Sequence, residues 1–160
     1  MADTMIKIKD AAGNRVINQM LGSTGYVPYR NAGGYIGFFR MLKTGSNALT
    51  CQILVSGAGR FATNSNGLYF CQIRKSGTAI ANLRVDQLVP SAGNNNTPTF
   101  GYWDDGTYIY VGLYLNTTTL APFTATLLGT DPDLASAPQV GTFYNSSTAP
   151  TGWTAVTITA

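Results

Sequence analysis

Apolar and polar residues alternate with a period of two along most of this chain, and no capped run of eleven or more residues carries helical spacing. Successive side chains of a strand point to opposite faces, so each such segment acquires one buried and one wetted side. The clearest case is Thr107–Leu115. There Ile109, Val111, Leu113 and Leu115 fall on one face and Tyr108, Tyr110 and Tyr114 on the other. Asp104-Asp105-Gly106 before it is a turn sequence, which predicts that Phe100–Trp103 pairs back on this strand.

Other segments follow the same rule. Met5–Lys9 and Arg15–Leu21 flank Asp10-Ala-Ala-Gly-Asn14 and read as a hairpin, an arm or an edge. Gly22–Gly34 reads as a Gly/Pro/Tyr loop, then Tyr35–Lys43, Ala48–Ser56 and Gly67–Lys75 as a three-stranded meander. Ala79–Val89 continues it, with a bulge where Ile80 and Leu83 break the alternation. After a Gly/Asn-rich loop over Pro90–Pro98, the segments Pro122–Gly129, Val140–Tyr144 and Trp153–Thr159 complete about ten strands, with one helical turn at most in Asp131–Pro138. The expected class is all-β, an antiparallel two-sheet β-sandwich or a closed barrel, with residues 1–25 as an arm and 26–160 as the domain.

The residue types that are missing narrow the chemistry. The 160 residues include no histidine and no glutamate, and all seven acids are aspartates. Without histidine no Ser-His-Asp or Cys-His machinery can be assembled. Asp104 and Asp105 are adjacent and diverge in a strand or turn, unlike the opposed carboxyl groups of a glycosidase, although Asp86 could still converge on one of them. Two cysteines and no histidine argue against zinc, and the aspartates match no EF-hand loop. The expectation is a protein that is not an enzyme, with no catalytic residue, metal or cofactor. Cys51 and Cys71 sit in echoed segments, CQILVSG and CQIRKSG, and are expected as free, buried thiols on adjacent strands.

Only 11% of residues are charged, so threonine, asparagine, serine and glycine must supply most of the polar surface. Residues 1–84 hold all ten Lys and Arg with two Asp, a net +8, whereas residues 85–160 hold five Asp and no base, a net −5. The basic residues are spread singly among strands, which argues against nucleic acid as a partner. Neighbouring copies meeting basic side to acidic side would use the same asymmetry. No export signal is visible in MADTMIKIKD, and Gly106–Thr130 is too polar and too strand-like for a transmembrane helix, so neither secretion nor membrane insertion is expected.

Aromatic residues carry the remaining signal. Tyr102, Trp103, Tyr108, Tyr110 and Tyr114 gather beside Asp104 and Asp105. Such a set serves a subunit or virion interface, a solvated tyrosine face over a core Trp103, or a glycan site in which flat rings stack on sugar and carboxylates bind hydroxyls. The first is the leading reading. A stand-alone carbohydrate-binding module is the alternative.

From Tyr35 onward, GGYIGFFRMLKTG, ALTCQILVSG, TYIYVGLYL and APFTATLLG together resemble the jelly-roll-like β-sandwich domains of bacteriophage tail fibres, tailspikes and related virion appendages. The resemblance spans roughly residues 35–130. It implies a structural or adhesive virion component, a homo-oligomer and most often a trimer, in contact with other virion proteins or a host-surface glycan. At this length a head- or tail-decorating protein or an adhesive tip fits better than a complete fibre.

Overall fold

The computed structural model describes residues 6–9, 15–19, 24–27, 33–45, 48–58, 67–89, 97–116, 122–130 and 136–159, which form thirteen strands and no helix. The turn expected at 10–14, most of the loop expected at 90–98, and Asp131 and Asp133 lie outside the described residues. No described helix is long and apolar enough to cross a membrane. Strands β1 (Ile6–Lys9) and β2 (Arg15–Gln19) pair antiparallel with each other. The others, in chain order, are β3 (Thr24–Val27), β4 (Gly34–Leu42), β5 (Ala48–Ala58), β6 (Gly67–Ser76), β7 (Ala79–Val89), β8 (Thr99–Asp104), β9 (Tyr108–Leu115), β10 (Phe123–Thr130), β11 (Gln139–Ser146), β12 (Thr154–Ala155) and β13 (Ile158–Thr159). They build a six-stranded sheet, β13-β7-β6-β5-β10-β3, and a five-stranded sheet, β11-β4-β9-β8-β12. Neither closes into a barrel, and every ladder is antiparallel except the two-residue β13–β7 pair.

One apolar layer joins the sheets. Alternation on β5 sends Leu49, Cys51, Ile53 and Val55 inward while Gln52 and Ser56 stay exposed, and β6 does the same with Tyr69, Cys71 and Ile73. From the five-stranded sheet Phe38 meets Phe123 edge-on at 6.1 Å, and Phe100 meets Tyr69 at 5.0 Å. Each such side chain contributes about 1.5–3 kcal/mol when fully removed from water, enough for the shared layer to dominate folding. A register shift on β4 between Gly37 and Phe39 turns both Phe38 and Phe39 into it. The bulge expected near Ile80 is present on β7, where Ile80 opposes Lys75 and Asn82 opposes Arg74. Cys51 and Cys71 are buried and not joined by a disulfide, diagonal to each other on β5 and β6.

Several sequence expectations change. β4 does not start the meander: it sits between β11 and β9 in the other sheet, and the meander is β5-β6-β7. Alternation records which face a strand buries, not which strand lies beside it. The segment expected as a loop over Gly22–Gly34 contains β3, hydrogen-bonded to β10. A side chain at Gly25 would collide with the backbone of Gly141, so glycine is what lets β3 close against β11. The single strand expected over Trp153–Thr159 is two: β12 pairs with β8, then the chain crosses over and β13 pairs with β7.

The charge asymmetry along the sequence is also not a division in space. Lys43 and Asp104, from opposite halves, form a 2.9 Å ion pair. Lys75, fully buried, reaches from β6 to the carbonyl of Leu42 on β4 (3.0 Å) and the hydroxyl of Ser136 (2.9 Å), while the Leu42 N–H donates to the Ser136 carbonyl (2.6 Å). Strands of both halves interleave in each sheet, so part of the asymmetry is neutralised within one chain.

Candidate functional site: an aromatic layer and its clefts

The five-stranded sheet carries a second layer of rings on its outer face. Gly37, Gly112 and Gly101 are cross-strand neighbours on β4, β9 and β8, forming a row without side chains. The rings lie on this row. A Cβ at Gly37 would stand 2.8 Å from the Trp103 ring, one at Gly112 2.9 Å from it, and one at Gly101 2.6 Å from the Trp153 ring. Trp103 stacks on Tyr110 (5.0 Å, 9°) and meets Tyr144 edge-on (5.5 Å) and Trp153 (5.7 Å). Trp153 continues the layer to Tyr35 at 5.2 Å, and Tyr35 to Tyr114 at 4.6 Å.

At the other end the guanidinium of Arg40 lies between Tyr108 and Phe143, 4.4 Å from each ring centre, and Arg40 donates to Gln139 at 2.9 Å. Arginine suits this position because its planar cation stacks on rings while its edge keeps hydrogen-bonding.

The Asp104-Asp105 turn is fixed at the margin of this layer. Asp105 accepts from the backbone N–H of Thr107 (2.9 Å) and Tyr108 (2.8 Å) and from the Tyr110 hydroxyl (2.7 Å). Asp104 accepts from Lys43 (2.9 Å) and the Gly106 N–H (3.1 Å), with Gly106 at φ 93° completing the turn. Partial burial pushes the Asp105 carboxyl upward, but the bonds from Tyr108, Tyr110 and Thr107 outweigh it and hold the group below the ordinary range. Asp104 is also lowered, first by the Lys43 hydrogen bond. Tyr110 is pushed up to about 12, first by burial and then by its bond to Asp105.

The seven residues singled out in sequence therefore take different places. Trp103 and Tyr110 are only 5% and 9% exposed, covered by rings of their own chain. Tyr108 and Tyr114 are half-buried at opposite ends of the layer. Tyr102 points to the other side, against the inner core. Asp104 and Asp105 border a cleft of about 480 Å³ whose far wall is Phe143, Tyr144 and the Thr148–Thr151 turn. A second cleft, about 330 Å³, adjoins it and shares Trp103, Asp104 and Thr151.

Sequence reasoning missed Arg40, Phe143, Tyr144, Trp153 and the glycine row. A signal existed in β9, where the alternating face Tyr108-Tyr110-Gly112-Tyr114 has one tyrosine replaced by glycine, marking where another ring lies down.

Neither a family model nor a curated protein matches the sequence. Among solved structures the fold is similar to part of Pantoea stewartii WceF, described as a glycan biofilm modifying enzyme with a bacteriophage tailspike-like parallel beta-helix fold. The TM-score is 0.55 at 12% identity, over 86% of this chain and 22% of that one. The tailspike protein of Acinetobacter phage vB_ApiP_P1 overlaps with a TM-score of 0.43 at 15% identity, over 74% of this chain and 22% of that one. The chain thus spans 22% of the length of each of these proteins, and what it shares with WceF is a fold.

Proposed function

We propose that this chain is a non-catalytic structural and adhesive module of a phage virion appendage of tailspike or tail-fibre type. In this reading it is a jelly-roll-like antiparallel β-sandwich at work in a homo-oligomer, trimeric by preference, with residues 1–25 as an arm toward other virion proteins and the opposite loops toward host-surface glycan. The observation that carries the reading is the fold likeness to tailspike-like WceF over 86% of this chain.

Two features support a module over a catalytic unit. All the ladders here except the short β13–β7 pair are antiparallel, which favours an accessory domain beside a parallel β-helix over coils of the helix itself. The two carboxylates on the larger cleft are both held toward the ionised form, and Asp105 is engaged by three donors. A general acid needs the reverse, a carboxyl held protonated near neutral pH. Size-exclusion chromatography with light scattering tests the assembly: an oligomer at micromolar concentration is expected, and a stable 17.0 kDa monomer refutes the oligomeric reading.

A further inference from the structure

We infer that the outer face of the six-stranded sheet is the surface through which copies of this chain meet, packed against the same face of a second copy. This rests on the oligomeric reading above and supplies the contact surface that reading leaves open.

The side chains of β5 and β6 that do not enter the inner layer point away from the other sheet. Among them Leu54 and Phe70, both half-buried, stand opposite each other across the β5–β6 ladder. Leu68, two residues before Phe70 and on the same side of β6, stands opposite Val89 of β7. On the other flank Leu128 projects from β10 at the register shift where Gly129 comes to face Gln52. These five side chains form an apolar stripe running diagonally over β10, β5, β6 and β7. Among the described residues the exposed large apolar side chains are Leu88 (54%), Val89 (47%) and Leu128 (47%), so all of them belong to this sheet and two to the stripe itself. A stripe of this kind, continuous across four strands and rimmed by polar residues, marks a contact surface. The opposite face of the sandwich differs, because its rings already cover one another and leave Trp103 and Tyr110 buried.

Charge and area identify the occupant. The outward residues of β5 and β10 carry no charge, and beside the stripe Arg84 and Asp86 neutralise each other through a 2.8 Å ion pair. Arg74, toward the far end of β6, is the remaining ion of the two neighbouring strands β6 and β7 on this face. Such a face has little field to draw a strongly acidic or basic partner and little to repel its own copy, and it matches the charge-depleted centre of a subunit interface. Its four long strands have eight to eleven residues each. At about 3.3 Å per residue and about 4.8 Å between strands they span roughly 600 Å² in plan, which side-chain relief brings near the ~800 Å² per partner of a stable interface. Two such faces pack as sheets do in a sandwich, their apolar side chains interdigitating. Two copies back to back and three around an axis both bring this face against its own kind.

The test is light scattering after size exclusion at micromolar concentration, with circular dichroism to establish that each variant folds. The parent is expected as an oligomer and Phe70→Lys, with a charge at the centre of the stripe, as a 17.0 kDa monomer. Phe70→Thr removes the ring but keeps a strand-forming residue, and its dissociation constant should rise at least about thirtyfold. Thr99→Lys places the same charge on an exposed position of the five-stranded sheet and should assemble as the parent does. A folded Phe70→Thr that assembles as tightly as the parent would overturn the contact and leave the stripe to a different protein. Thr99→Lys dissociating as fully as Phe70→Lys would overturn it as well, since added charge anywhere would then suffice. The underlying reading fails separately: a monomeric parent removes the oligomer itself, whereas an oligomer indifferent to both Phe70 substitutions removes this face alone.

Discussion

Gly37 and Gly112 face each other across the β4–β9 ladder, and the indole of Trp103 occupies the space their missing side chains leave. The two are not equivalent. A methyl group at Gly112 would collide with the Ile36 carbonyl, which is backbone inside a ladder and cannot yield, whereas one at Gly37 meets ring atoms of Trp103 first.

Gly112→Ala is therefore expected to cost roughly 3 kcal/mol, the upper part of the range for overpacking, and about 6–12 °C in melting temperature. Gly37→Ala should cost less and shift Trp103 emission instead. Gly129→Ala is the control, since its Cβ would meet nothing nearer than the Gln52 side-chain oxygen at 3.7 Å, and it should change stability by no more than about 0.5 kcal/mol. Thermal unfolding of the three variants followed by fluorescence checks the order. Equal effects at 112 and 129 would refute the packing described.

Tyr110 and Asp105 make stability depend on pH at both extremes. The phenol of Tyr110 titrates near 10 when unfolded and about 12 when folded, so in that window the native state holds more protons and stability falls as pH rises through it. The folded Asp105 carboxyl is lowered, so its contribution is present above the unfolded carboxylate value and is lost as pH falls through the folded one. Tyr110→Phe should cost about 1 kcal/mol at neutral pH, the worth of one hydrogen bond. It should also flatten the alkaline limb between pH 10 and 12. In Asp105→Asn the Tyr110 transition, followed by phenolate absorbance, should fall from about 12 yet stay above 10, because burial, the larger cause, persists. An unmoved transition would show that Asp105 does not act on Tyr110.

These two networks mark where the sequence was legible. The inner faces of β5, β6 and β9 were, because Ile53, Ile73 and Val111 obey a period set by local geometry alone. So was the hairpin turn at Asp104-Asp105-Gly106, and so was the bulge at Ile80. Neighbour choice was not: β4 lies beside β9 and β11 because Phe38, Phe39 and Met41 complete a core built by residues far along the chain. The outer aromatic layer was half legible. Tyr108, Tyr110 and Tyr114 announced an aromatic face, but the rings that cover it come from Phe143 and Tyr144 on β11 and from Trp153 just before β12, which no local pattern connects to it.

Lys75 and Ser136 form a clasp between the sheets whose worth can be measured as a coupling. Lys75→Met keeps most of the buried chain volume but withdraws the ammonium from Leu42 and Ser136, leaving buried acceptors short of a donor, at about 1–3 kcal/mol. Ser136→Ala leaves the ammonium short of an acceptor and should cost a similar amount. If the 2.9 Å contact is energetically real, the double variant should lose at least about 0.5 kcal/mol less than the two losses added together. Strict additivity in urea unfolding would mean the two side chains touch without coupling.

Cys71 is held with its thiol in the unreactive, protonated form within the inner layer. Burial, and secondarily the charge of Asp86, pushes its thiol far above the ordinary range, and Cys51 is fully buried on the neighbouring strand. The thiolate is the reactive species, so the native protein at pH 8 should not react measurably with an aromatic disulfide reagent over an hour, while the same protein in denaturant should release two equivalents at once. Modification should then proceed no faster than global unfolding, and Gly112→Ala, by lowering stability, should accelerate it in proportion to the unfolded fraction. Rapid labelling of one thiol in the native state would mean that β5 or β6 opens locally, and would contradict the central place of these strands in the six-stranded sheet.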